Sequence, residues 1–198
     1  MTGKRFSLQG WGIVGFSTLA VGSIVTVIFL FQGIDELGMR MAIRATARTS
    51  CIFFIAAFVA SALHKIWSNP YTAWLLKNRR YFGLSMAVSH TYHAIAWTGL
   101  WLVTSGKSPQ FAGLAILGYV VLLAMTITSF RRPAALLGQR AWKILHRTGM
   151  YYFWLAFTAE FSVKLTQSPL IYLPFFTLLV LAIFLRLLTA IKPTKLAS

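Results

Sequence analysis

Six long apolar stretches dominate this sequence, and each is about as long as a membrane-spanning helix. A helix needs about 20 mostly apolar residues to cross the hydrocarbon core of a bilayer. Short segments that contain proline, glycine or several basic residues separate the stretches. The pattern therefore predicts an all-α membrane protein, a six-helix transmembrane bundle, with spans at about 11–32, 42–66, 81–103, 111–130, 144–163 and 170–191.

The composition excludes a soluble domain of this size. Hydrophobic residues make up 58% of the 198 residues and charged residues only 11%, whereas soluble domains carry about 25% charged residues. No repeat or low-complexity segment divides the chain, so residues 1–198 are expected to form a single transmembrane domain embedded in lipid. Cys51 is the only cysteine, which excludes an internal disulfide and a CxxC metal site. The first apolar run lacks a clean cleavage site, so we expect a retained span rather than a signal peptide.

Basic residues are unevenly distributed between the predicted loops. The chain has 19 Lys and Arg against three acidic residues. The loops after spans three and five carry one lysine each, Lys107 and Lys164, whereas the loops after spans two and four and the two ends are rich in basic residues. Arg40, Arg44 and Arg48, at the outer start of span two, depart from this pattern; they recur every four residues and so form a stripe on one helical face. Because cytoplasmic loops are enriched in Lys and Arg, we predict that both termini are cytoplasmic (N-in/C-in). The short basic runs also favour contact with anionic lipid, and no nucleic-acid binding is expected. The rich segments contain Lys4, Arg5, Lys65, Lys77, Arg79, Arg80, Arg131, Arg132, Arg140, Lys143, Lys192 and Lys195.

Seven ionisable residues within or at the ends of these spans are the candidate functional residues. Ionisable groups inside a membrane are costly and usually face the interior of a helix bundle. Neutral histidine is also the commonest ligand for a metal or a haem iron. A histidine near a helix end is more often an interfacial residue, but one in the middle of a span has no such explanation. The candidates are Arg44, Arg48, His64, His90, His93, His146 and Glu160.

These residues are expected to form two layers. His90 and His93 lie about 15 and 19 Å into the third span, and Glu160 in the fifth span reaches nearly the same depth. Arg48 approaches that depth from the outer side, so we expect an outer polar layer in which Glu160 is buried near His90, His93 or Arg48. His64 and His146, at the cytoplasmic ends of spans two and five, can form a second layer. Two histidine layers, one above the other, are what electron transfer through stacked haems requires.

Four short segments occur in a fixed order along the chain: residues 47–49 (ART), 78–84 (NRRYFGL), 137–138 (LG) with 145–146 (LH), and 162–164 (SVK) running into 169–172 (PLIY). Together they resemble the ferric-reductase-like transmembrane superfamily, and within it the haem b membrane subunits of the MsrQ type. The resemblance implies haem b held between helices three and five in the bacterial inner membrane. It also implies a cytoplasmic reductant, often flavin on a partner or at the cytoplasmic face, and an acceptor outside.

The resemblance assigns roles to three residues and departs from the family at one position. By position, His93 matches the haem ligand of helix three, His146 matches the first histidine of helix five, and Arg48 matches an arginine that can meet a haem propionate. The family's second histidine on helix five is absent, since residues 157–161 read FTAEF. His90 is additional. The remaining options are a five-coordinate haem on His93 or His90, and an inner haem on His64 and His146 if helix two packs beside helix five.

Two functions from different classes remain open. In the first, the chain is the electron-transfer subunit of an oxidoreductase without its own catalytic domain. Because the sequence has no GxGxxG loop and no room for a flavin or NAD domain, donor and acceptor would be separate molecules. In the second, the chain is a haem-less structural or assembly subunit of a larger membrane complex. A proton or ion transporter ranks lower, because neither an inverted repeat nor a broken helix pair is visible.

Overall fold

A computed structural model describes residues 8–107 and 113–191, and all regular structure in these ranges is α-helical. The predicted all-α class is therefore confirmed for the described residues. The expected basic residues Lys4, Arg5, Lys192 and Lys195, and the predicted start of the fourth span near residue 111, lie outside these ranges. The helices are α1 (Trp11–Gln32), α2 (Glu36–Ile66), α3 (Pro70–Val103), α4 (Gly113–Ile127), α5 (Arg131–Leu137), α6 (Gln139–Gln167) and α7 (Pro169–Ile191).

Side-chain caps explain why α2 and α3 begin earlier than the apolar pattern predicts. The helix α1 has the predicted bounds, but α2 begins at residue 36 rather than 42, and α3 at residue 70 rather than 81. The Asp35 carboxylate accepts a hydrogen bond of 2.9 Å from the Gly38 amide and so caps α2. Asn69 and Thr72 form a reciprocal capping box at the start of α3. Hydropathy alone locates the apolar part of a helix, whereas the caps determine its first residue.

The two internal basic segments are mostly helical, which corrects the prediction that they are loops. Only residues 67–69 link α2 to α3, so the basic residues at 77, 79 and 80 project from the first turns of α3. Likewise Arg131 and Arg132 belong to the short helix α5, and Gly138, at a φ of 79°, provides the sharp turn into α6. The backbone of these basic residues is therefore held in regular helices rather than in loops.

Within residues 8–107 and 113–191, three helices (α1, α2 and α7) are long and apolar enough to cross a membrane, or four spans are possible if the bent pair of α4 and α5 counts as one. The two segments of that pair, Ala115–Ile127 and Arg131–Leu137, meet at 109°. Large apolar side chains cover the outside of the bundle: Leu30, Phe31 and Leu170 are 77, 81 and 91% exposed. A surface of this kind requires lipid rather than water, and we conclude that the chain is a membrane protein. The six spans and their orientation stay a prediction.

Helix α2 is the centre of the bundle and packs against α1, α3, α6 and α7, with its longest contact along α3. Small polar side chains join the three N-terminal helices. Ser89 of α3 lies 2.7 Å from the Thr49 hydroxyl and donates to the Thr46 carbonyl at 3.1 Å, and Ser17 of α1 donates to Ser85 of α3 at 2.7 Å. Small residues let helix backbones approach closely in lipid, and interhelical hydrogen bonds satisfy their polar atoms.

Aromatic side chains fill the other side of α2. The buried rings of α6, Phe153, Phe157 and Phe161, recur every fourth residue and so form one stripe. The stripe packs against Phe54 of α2 at 5.4 Å and against Tyr172 of α7 at 5.4 Å between ring centroids. The two sides of α2 therefore differ: a polar contact with α3 and an aromatic core toward α6 and α7. The central histidines lie between them.

Candidate functional site

His93 of α3 is held by α2 in a defined tautomer. Its Nδ1 lies 3.1 Å from the Ile43 carbonyl oxygen and 3.1 Å from the Thr46 hydroxyl oxygen. The Thr46 hydroxyl donates its own hydrogen to the Ala42 carbonyl at 2.7 Å, so both neighbours accept from Nδ1. The hydrogen-bond network thus assigns the proton to Nδ1 and the lone pair to Nε2. Trp97, one turn further along α3, donates its indole N–H to that Nε2 at 3.1 Å.

His90 lies beside His93 but faces different neighbours. The two imidazole rings are 5.4 Å apart between centroids. The His90 ring also lies 5.8 Å from the rings of Tyr119 in α4 and Phe157 in α6, and 6.1 Å from Phe153. Its Nδ1 is buried and has no hydrogen-bond partner among the described residues. A buried imidazole nitrogen without a hydrogen bond is energetically unfavourable, and a ligand that bonds to it removes this cost.

The expected outer layer forms only in part, because Glu160 is not buried in it. The Glu160 side chain is 61% exposed, and its nearest cation is Lys164, one turn along the same helix at 3.9 Å. Glu160 directly precedes the buried Phe161 and is therefore turned about 100° away from it around the helix. The prediction of a buried Glu160 beside the histidines is wrong.

The arginine stripe at the start of α2 also lies apart from the histidines. Arg48 donates from Nε to the Arg44 carbonyl at 3.0 Å, and its guanidinium lies 5.7 Å from the centre of the Tyr172 ring. Arg44 is exposed. Arg40 pairs with Glu36 at 2.7 Å on the same helix. The stripe covers the surface of α2, and none of these contacts joins it to His90 or His93.

His64 and His146 occupy separate sites, so the expected inner histidine pair is not formed. The Nδ1 of His64 lies 3.1 Å from the hydroxyl of Thr72, in the first turn of α3. The Nε2 of His146 lies 3.0 Å from the hydroxyl of Thr128, and its ring stacks on Trp142 at 4.5 Å. Among the described residues, no group of three or more His, Cys, Asp and Glu side chains could hold a metal ion.

One arginine inside a span, Arg186 of α7, was not recognised as a site residue from the sequence. Arg186 donates to the Phe58 carbonyl at 3.1 Å, and its guanidinium lies over the Phe58 and Tyr151 rings at 4.4 and 5.1 Å. A signal was present: Arg186 interrupts an otherwise apolar span, and such a residue is a functional candidate by default.

Comparison with known proteins finds sequences that are similar over most of the chain. The chain is 27% identical over 176 residues to proteins named protein-methionine-sulfoxide reductase heme-binding subunit MsrQ, for example those of Salmonella paratyphi B, Salmonella newport and Salmonella agona. The alignment covers 78% of this chain and 83% of each relative. No protein-family model and no solved structure matches the chain.

Proposed function

We propose that this chain is a haem-binding membrane subunit that passes electrons between a donor on the cytoplasmic side and a separate partner or acceptor. The hydrogen bonding of His93 is the observation that carries the proposal. Metal-ligating histidines commonly donate one ring N–H to a backbone carbonyl, which orients the ring and keeps the other nitrogen basic. His93 has this arrangement through Ile43. The relatives named as heme-binding subunits support the same reading.

The residues around His93 and His90 fit a haem that is held from α3 alone. The unpartnered Nδ1 of His90 and the lone pair at His93 Nε2 provide two imidazole donors at this level. Opposite them α6 presents Phe153 and Phe157, and α4 presents Tyr119, so no second helix contributes an imidazole. His93 and His90 are therefore the residues of this level that would hold the haem iron.

The chain's own residues would orient the ligand and exclude water. A bound haem b supplies one-electron redox chemistry at its iron, with a potential that depends on axial ligation and burial. Ile43 and Thr46 fix the His93 ring, and the aromatic side chains of α4 and α6 keep this level dry. The Trp97 indole must give up its hydrogen bond to Nε2 before that nitrogen can bind iron. A flavin would be bound by a partner or at the cytoplasmic face.

The optical spectrum of the purified, detergent-solubilised protein tests this proposal. We expect a Soret band when the chain is expressed with sufficient haem. A colourless protein under those conditions, with an intact helical circular-dichroism spectrum, would contradict the proposal.

A haem-less subunit of a larger membrane complex is the second candidate, and a specific observation favours it. The face of α6 toward the histidines carries an unbroken stripe of buried phenylalanines, which packs the bundle without a cofactor. A folded but colourless protein would support this candidate, and the polar contacts of His93 would then serve packing between α2 and α3.

The proposal also includes a multi-pass topology with six spans in the bacterial inner membrane and both termini in the cytoplasm. The helices α3 and α6, with 34 and 29 residues, are about 51 and 44 Å long and so exceed the thickness of a bilayer core. Reporter fusions after Lys107 and Lys164 should read as periplasmic, and a fusion after Arg140 as cytoplasmic. The opposite pattern would overturn the orientation.

A further inference from the structure

Three aromatic side chains from distant parts of the sequence meet at the end of the bundle where α1 begins. The Trp11 ring of α1 stacks on the Phe130 ring, which lies between α4 and α5, with 6.1 Å between the centroids. Trp11 also meets the Tyr81 ring of α3 edge to face at 5.8 Å. Trp11 and Phe130 are exposed and Tyr81 is half-buried. The three rings therefore form an aromatic platform on the surface of the bundle rather than a part of its core.

Hydrogen bonds to α3 hold this platform in place. The Asn78 side chain is buried; its Oδ1 accepts from the Gly10 amide at 2.9 Å, and its Nδ2 donates to the Trp74 carbonyl at 2.9 Å. The Trp74 indole N–H donates to the Leu8 carbonyl at 3.1 Å. The backbone just before Trp11 is thus bonded twice to α3, so the position of the Trp11 ring does not depend on its aromatic contacts alone.

The guanidinium of Arg80 lies over the platform. Its central carbon is 5.7 Å from the centre of the Tyr81 ring and 5.5 Å from the centre of the Phe130 ring. Contact with aromatic faces orients a guanidinium, and it leaves the N–H groups at its edges able to bind oxygen atoms. Arg80 is exposed, and within residues 8–107 and 113–191 it makes no hydrogen bond and no ion pair.

The charge around the platform is positive only. Arg131 directly follows Phe130 in the chain, Arg132 comes next, and both are exposed. The sequence has three acidic residues, of which two lie at the start of α2 and one near the end of α6. Because α2 and α3 are antiparallel, with His64 beside Thr72, the start of α2 is at the opposite end of the bundle. The platform therefore fits an anion that comes from outside the chain.

We propose that Arg80, on the aromatic platform, binds the phosphate group of an anionic phospholipid, aided by the charges of Arg131 and Arg132. A guanidinium matches the geometry of phosphate oxygens and can bind them through two parallel N–H donors. Tryptophan and tyrosine are enriched at the level of lipid headgroups, where one side of the ring is apolar and the other is wet. The site requires no haem and is independent of the proposed electron transfer.

The surface next to the platform favours a lipid over an acidic protein from the aqueous phase. The helix α1 begins at Trp11 and carries no charged residue along its 22 residues. Its large side chains Phe16 and Leu19, one and two turns beyond the platform, are exposed. Positive charge is thus followed along the bundle by exposed apolar surface, which is the order of phosphate and acyl chains in a phospholipid. An acidic protein would match the cations but not the apolar side chains.

Native mass spectrometry of the detergent-solubilised chain tests this proposal. It compares the fraction of protein with one bound phosphatidylglycerol and the fraction with one bound phosphatidylcholine of the same acyl chains. The measurement uses about 0.3 M ammonium acetate, where the attraction of exposed charges is largely screened. We expect a preference for phosphatidylglycerol that R80Q lowers about tenfold, because a charge-assisted hydrogen bond is lost. The matched control R140Q removes an exposed arginine of α6 and should change the preference less than about twofold.

Two further variants separate a built site from a general attraction of charge. R80K keeps the charge but loses the planar group, and F130L removes one of the rings under it; each should lower the preference about threefold. F31L is the control for F130L, because it removes an exposed ring at the far end of α1 and should leave the preference unchanged.

Melting temperatures provide the folding control, and if F130L does not fold, R80Q and R80K decide the question because they change only an exposed side chain. The proposal is wrong if the native chain shows no preference, if R80Q and R140Q lower it equally, or if folded F130L and F31L behave alike.

Discussion

Histidines lie at two levels of the bundle: His90 and His93 in the middle of α3, and His64 and His146 near the predicted cytoplasmic ends of α2 and α6. The side chains around the two sets differ. His93 donates Nδ1–H to the Ile43 carbonyl and accepts the Trp97 indole N–H at Nε2, whereas His146 contacts the Thr128 hydroxyl through Nε2 and stacks on Trp142. Neutral partners that fix the tautomer leave Nε2 basic and suited to a metal ion. At His146 the Nε2 nitrogen is already engaged with the Thr128 hydroxyl. The comparison indicates that the neighbours of a histidine, rather than its depth, determine which ligand it can bind.

The largest expected effect that separates the two levels is the loss of haem in His93→Ala. We expect the Soret absorbance per protein to fall to background, because no water is available at this level to replace the ligand easily. His146→Ala and His64→Ala should retain the haem, and His90→Ala should have a smaller effect than His93→Ala. Size-exclusion profiles and circular dichroism provide the folding control. If His93→Ala kept its full haem content while His146→Ala lost it, the haem ligand would be His146 and not His93.

The next largest effect is expected from the aromatic packing that excludes water from the region around His90. Phe157→Ala removes a buried ring that contacts both His90 and Phe54, and it should lower the free energy of unfolding by about 3–5 kcal/mol. Phe184→Ala in α7 is the matched control, because that ring is 56% exposed on the outside of the bundle. Equal losses in denaturant titrations of the two variants would show that the aromatic stripe is not the core of this level.

A smaller effect is expected from the hydroxyl that supports His93. Thr46→Val keeps the shape of the side chain but removes one of the two acceptors for Nδ1. Supporting residues of this kind change ligand affinity about 10–100-fold, and because the Ile43 carbonyl remains, we expect the haem dissociation constant to rise about tenfold. Thr98→Val is the control, since that hydroxyl only bonds Ala94 of its own helix. Identical haem titrations of the two valine variants would refute the role of Thr46.

The smallest expected effect is a gain, rather than a loss, of haem affinity. The Trp97 indole competes with iron for the lone pair of His93 Nε2. Trp97→Phe removes that hydrogen bond while keeping an aromatic ring, so haem affinity should rise about fivefold, as expected for one neutral hydrogen bond. Haem titration of the apoprotein measures the change. A loss of affinity would mean that Trp97 supports the bound haem instead of competing with it.

Much of the fold could be predicted from the sequence, because apolar length determines where helices must lie in a membrane. The bounds of α1 are those that the apolar run predicts, and α2, α3, α6 and α7 contain their predicted spans. The helix α4 ends at Ile127, before the predicted end of the fourth span at about residue 130. The early starts of α2 and α3 could not be read from hydropathy. They depend on Asp35 and on the capping box of Asn69 and Thr72, whose hydrogen bonds stabilise turns outside the apolar segment.

The candidate site could be predicted only in part, because depth along a helix does not determine direction around it. His90 and His93 lie side by side as the sequence predicts. Glu160 faces outward, beside Lys164, although its position along α6 suggested a place in the histidine layer. His64 and His146 face different helices, since each finds a threonine hydroxyl close by. Arg186 meets Phe58 and Tyr151 only in the folded bundle, because the three residues belong to α7, α2 and α6.

The most direct test of the central claim is the electron paramagnetic resonance spectrum of the oxidised, haem-loaded protein. If an imidazole of α3 holds the haem iron and α6 contributes no second imidazole at this level, the spectrum shows a high-spin ferric signal. We expect this signal to be absent from His93→Ala. A low-spin signal typical of two histidine ligands, or a high-spin signal that persists in His93→Ala, would contradict it.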